Sequence, residues 1–90
     1  VILKTHHFTA DDVIEGGVGI RKVTLASVGA VGQVAITETS PGVSGNRIDL
    51  SVAADGTVEW CGGDDTLDFP EGVDVDVTGA GILLNIYTQA

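Results

Sequence analysis

Gly72-Val73-Asp74-Val75-Asp76-Val77-Thr78 is the stretch on which the fold turns. Valine alternates with carboxylate along it. A period of two puts Val73, Val75 and Val77 on one face and Asp74 and Asp76 on the other. That is the pattern of a strand with one side in a core and one in water. Branching at Cβ suits the pleated surface and costs a helix χ1 freedom. Pro70-Glu71-Gly72 before it and Thr78-Gly79-Ala80-Gly81 after it read as turns.

The same grammar extends both ways. Downstream, Ile82, Leu84 and Ile86 share a face, with Tyr87 opposite, and predict a last strand that closes the domain. Upstream, Leu67 and Phe69 form a short inward pair. In residues 46–53, Ile48, Leu50 and Val52 alternate with Arg47, Asp49 and Ser51. Asp55-Gly56 predicts a hairpin into residues 57–61, where Val58 and Trp60 share a face. Pro41-Gly42 marks the clearest loop, between residues 39 and 45. Residues 20–28 predict a strand with Val23 and Leu25 on one side and Lys22 and Thr24 on the other. A glycine-bearing link joins it, as an expected hairpin, to residues 33–38, where Val34 and Ile36 face together. Thr9-Ala10-Asp11-Asp12 fits a turn or one helical turn, and Gly16-Gly17 ends whatever follows. Val1 to Phe8 has β character but no evident partner, so it reads as a first strand or an extended arm.

The expectation is one all-β domain over residues 1–90. It is a small antiparallel β-sandwich or jelly roll of seven to eight short strands with an N-terminal arm. Composition agrees. The chain has 13 valines, 9 threonines, 7 isoleucines and 13 glycines, and no methionine. Ninety residues give one core and no second domain. The single cysteine, Cys61, cannot form an internal disulfide, so assembly with other subunits is the expected source of extra stability.

The net charge of −9 argues against nucleic acid and against an anionic membrane as partners. Charge is uneven along the chain. The second half carries Arg47 as its only cation against seven aspartates and two glutamates. That half is expected to face water, and the more neutral first half to face other protein.

No constellation for catalysis emerges, and no cofactor or metal is expected. Neighbouring His6 and His7 point to opposite faces of a strand and cannot easily share an ion. Cys61 lies between Trp60 and an acidic loop, where carboxylates oppose thiolate formation, so it reads as inert. Asp74, Asp76 and the run Asp64 to Asp68 lack the spacing of a calcium loop and read as a solvated surface. As a glycosidase pair, such carboxylates carry no weight in so acidic a chain. Gly17-Val18-Gly19 lacks the third glycine and the following helix of a phosphate loop. Trp60, next to Val58 in alternation, reads as core in preference to a sugar platform.

Gly72-Val73-Asp74-Val75-Asp76-Val77-Thr78-Gly79-Ala80-Gly81 followed by Ile82 to Tyr87 resembles the C-terminal hairpin of small virion proteins of tailed bacteriophages. Ile20-Arg21-Lys22-Val23-Thr24-Leu25 is similar to their opening strand, and the loop before Ile48-Asp49-Leu50-Ser51 to theirs. The resemblance spans residues 20–88. Its elements are general β-hairpin grammar, and Asp74 and Asp76 are more acidic than the pattern. It implies a non-enzymatic capsid decoration or cement subunit, a homo-oligomer with a trimer favoured. Such a subunit binds the major capsid protein or another virion protein, sits on the capsid surface, and is assembled in the host cytoplasm. The alternative is a carbohydrate- or calcium-binding adhesion module of a tail or secreted protein. The apolar start of the chain, Val1, Ile2, Leu3 and Phe8, is the expected contact with the partner.

Overall fold

The computed structural model describes residues 3–39, 45–62 and 66–89. They form nine strands: β1 (Leu3–Phe8), β2 (Asp12–Glu15), β3 (Val18–Ser27), β4 (Gly32–Glu38), β5 (Arg47–Val52), β6 (Thr57–Cys61), β7 (Leu67–Phe69), β8 (Gly72–Thr78) and β9 (Ile82–Gln89). The chain is all-β, in two antiparallel sheets. One runs β1-β9-β3-β6, with β7 also paired to β3, and the other runs β2-β8-β4-β5.

The order has a simple origin. β4 pairs β5, β3 pairs β6 and β7, β2 pairs β8, and β1 pairs β9. These are the successive rungs of one long antiparallel ribbon with the β4–β5 connection at its tip. Successive rungs fall in opposite sheets, so the ribbon is rolled over itself. The roll is closed by β9 against β3 and β8 against β4. β6 and β7 share β3 as one interrupted edge, which makes this an eight-stranded jelly roll.

Three expected hairpins are therefore corrected. β3 and β4, β5 and β6, and β8 and β9 each lie in opposite sheets. Alternation reports only which side of a strand is buried. That side is the same whether the next strand pairs alongside or crosses over the core. The crossings are tied together at one end of the roll. Ser27 N donates to Gly56 O at 3.2 Å and Val28 N to Gly81 O at 2.9 Å. Asp55, in the left-handed region at φ 59°, accepts from Gly29 N at 2.8 Å through its carboxylate. The Asp55-Gly56 signal marks a real turn, but one that changes sheets.

Two open alternatives are decided. Asp12 belongs to β2 and no helical turn forms there. The described part of the N-terminal segment is not an arm: β1 pairs β9 along its whole length, from Leu3 opposite Gln89 to Phe8 opposite Leu84. Its partner was hard to read because it lies at the far end of the chain.

The core lies between the sheets and takes the predicted inward residues from both. Ile20, Val23, Leu25, Ile36, Phe69, Val73, Leu84 and Ile86 are fully buried. Phe8 and Ile14 extend it towards β1 and β2, and Trp60 and Val58 pack on it, partly buried, from the edge strand β6. Glu38 is a buried carboxylate, and its Oε2 accepts from Glu71 N at 3.2 Å. It ties the end of β4 to the turn before β8.

The expected division of charge along the chain does not survive folding. β1 to β4 and β5 to β9 each contribute to both sheets. The first half of the sequence therefore has no face of its own.

Candidate functional site

A groove of about 370 Å³ lies on the outer face of the β2-β8-β4-β5 sheet. It forms because Ala35 is small. Asp76 of β8 and Asp49 of β5 both lie opposite Ala35 in register, one on each side. The lining adds Gln33, Arg47, Ser51 and Thr78. Arg47 holds Asp49 as a fork, with Nε 2.6 Å from Oδ2 and Nη2 2.8 Å from Oδ1. That bond holds the Asp49 carboxyl below its usual range and raises the Arg47 guanidinium. Both groups are exposed, so the pair orients side chains more than it stabilises the fold. The groove offers carboxylate acceptors, an amide and two hydroxyls, and no aromatic ring.

A second surface lies at the end of the roll where the sheets exchange strands. Residues 28–31, 53–56 and 79–81 meet there, held by the bonds of Val28, Ser27 and Gly29 described above. Val28 is 63% exposed and Val31 66%. The same three loops carry Ala30, Ala53, Ala54 and Ala80, and Asp55 is their single charged residue. Its carboxylate is committed to Gly29. On a chain of net charge −9, this end is apolar and almost uncharged.

The residues singled out in the sequence are scattered. Of the expected contact residues, Val1 and Ile2 lie outside the described residues. Leu3 is exposed at the start of β1. Phe8 is buried in the core and offers no contact surface, a correction that follows from the pairing of β1. His6 and His7 face opposite sides, as a strand requires. His6 stacks with Phe8, its Nε2 3.2 Å from Thr88 Oγ1. His7 Nδ1 is 2.8 Å from Asn85 Oδ1. Burial and then nearby Lys4 lower the His6 pKa from its ordinary value.

Cys61 is exposed at the end of β6. Asp74 and Asp76 share the outer face of β8, and Asp74 accepts from Thr39 Oγ1 at 3.3 Å. Asp64 and Asp65 lie outside the described residues. Among the described residues no three His, Cys, Asp or Glu side chains converge on one point. Gly17 and Gly19 flank the start of β3, a strand, so no phosphate loop forms.

Sequence reasoning missed both surfaces. The groove had a faint signal in Arg47-x-Asp49 on one strand face, but its other wall is set by strand order. The apolar end draws on three loops that only the roll brings together. A scan against protein-family models finds no match, and neither does a search of curated proteins.

Proposed function

We propose that this chain is a non-enzymatic structural subunit that coats a larger protein assembly, in its specific form a decoration or cement subunit of a phage capsid. The observation that carries the reading is the apolar loop end with Val28 and Val31. On so acidic a chain it is the surface best suited to bind protein. Attachment to the major capsid protein or another virion protein would cover it, leaving the carboxylate-rich sheet outward to keep neighbouring particles apart. The jelly roll suits such a role because rolling leaves its loops in clusters at the two ends. The sequence resemblance points the same way.

The test is co-sedimentation with undecorated capsids, comparing the native chain with the Val28→Asp, Val31→Asp double variant. Both residues are exposed, so the variant should keep its fold, checked by melting. Binding should fall at least tenfold. Equal binding by both proteins, or none by either, would remove the support for this reading.

The groove over Ala35 favours a second reading, an adhesion module that binds a glycan through Asp49, Asp76 and Gln33. Titration of oligosaccharides against the native chain and Asp76→Ala separates the two. Saturable binding lost in the variant would support adhesion over decoration.

A further inference from the structure

The two sheets end in edge strands: β1 and β6–β7 in one, β2 and β5 in the other. An edge strand presents unpaired backbone groups that another strand can satisfy. Proteins usually guard such edges with charge, proline, a bulge or shortness. β2 has four residues and carries Asp12 and Glu15. β5 carries Asp49, β6 Glu59 and β7 Asp68. β1 alone has no carboxylate, and its one full charge is Lys4. It runs six residues, Leu3-Lys4-Thr5-His6-His7-Phe8, without proline and without a break in its register against β9.

We infer that β1 is a homotypic pairing edge, on which the β1 strand of a second copy adds antiparallel about a two-fold axis. Charge selects the occupant. Two chains of net charge −9 repel wherever carboxylates meet, and β1 is the edge where none do. The pleat then selects the register. Residues directly opposite one another share a face, and the two-fold axis must relate each residue to its own kind. The axis therefore passes beside Thr5 or beside His6.

The Thr5 register is the better fit. Thr5 meets Thr5 of the second copy, a favourable cross-strand pair. Leu3, 42% exposed in the single chain, is covered by the imidazole of His7 from the second copy. The inner row sets Lys4 opposite His6. The β1-β9-β3-β6 sheet becomes continuous across the pair, and the apolar loop end remains open for attachment. This contact is isologous and closes a dimer, so a trimer would have to use another surface. The inference deepens the structural-subunit reading and rests on its premise that the chain assembles.

The experiment measures mass by light scattering on the native chain, on Thr5→Asp and on Ser51→Asp. The first substitution puts two carboxylates face to face at the axis. The second adds the same charge to the β5 edge. The native chain and Ser51→Asp should have twice the 9.2 kDa chain mass, and Thr5→Asp the mass of a single chain. In a Cys61→Ser background, Thr5→Cys should be captured as a dimer by a short bismaleimide, while Thr37→Cys on the opposite sheet should not. This arm holds even if Thr5→Asp fails to fold. A native monomer at all concentrations, a trimer, a dimer that Thr5→Asp leaves intact, or equal capture at both cysteines overturns the inference. Failure here is distinct from failure of the proposed function. A monomer that still binds capsids sinks the edge contact alone, and a dimer that ignores capsids sinks the decoration reading alone.

Discussion

Single residues set the sheet changes. Gly72 has φ 98°, and a Cβ there would collide with the backbone oxygen of Ile14. Gly29 has φ 78° but open space around it. Both positions strain a side chain, at roughly 1 kcal/mol or more, but only Gly72 also forces strands apart. Gly29→Ala should therefore lower stability by about 1 kcal/mol and Gly72→Ala by about 3 kcal/mol or more. Urea unfolding of the two variants measures the difference, and equal losses would show that space at Gly72 is unimportant. His6 gives a pH-dependent prediction. Burial lowers its pKa in the folded chain, so the unfolded chain binds the proton more readily below about pH 6.5. Its contribution is complete above that pH and declines as pH falls through the lowered folded value. The melting midpoint should therefore drop between pH 7 and 5 with a slope that His6→Gln reduces.

At the scale of elements, β1 decides how removal of the N-terminus is felt. An arm could be cut away without harm. A strand that pairs β9 along its length and places Phe8 in the core cannot. Deleting residues 1–8 strips the β9 edge and opens the core beside Ile14. The loss of Phe8 alone is worth about 3 kcal/mol or more. Circular dichroism should show an unfolded or molten chain where an arm would leave the native spectrum. The strands themselves were legible in the sequence, because alternation at Val73 to Val77, Ile48 to Val52 and Ile82 to Ile86 records burial directly. Their pairing was not. Asp55-Gly56 is the usual hairpin signal, yet its chain leaves one sheet and enters the other. A two-residue signal reports a reversal of direction, while the choice of sheet depends on the partners of β3 and β8, tens of residues away. The candidate surfaces were lost for the same reason. Ala35, Asp49 and Asp76 come together only once β4 lies between β5 and β8.

The whole molecule carries the kinetic consequence of that topology. Only the β4–β5 rung closes a short loop. Each further rung encloses the last, out to Leu3 opposite Gln89. Closing large loops costs entropy before any contact repays it, so non-local β topologies fold in milliseconds to seconds while helical bundles of similar size fold far faster. The charge adds a second brake. Compacting a chain of net charge −9 brings carboxylates together, and salt screens that repulsion over about 10 Å at 0.1 M. Folding should therefore be slow, single-phase by stopped-flow Trp60 fluorescence, and faster as sodium chloride rises from 0.02 to about 0.5 M, a range in which the Debye length falls several-fold. Calcium at matched ionic strength should give no more acceleration than sodium, since no three carboxylates converge among the described residues. A specific calcium effect, reversed by chelator, would instead reveal a cation site and turn the functional reading towards adhesion.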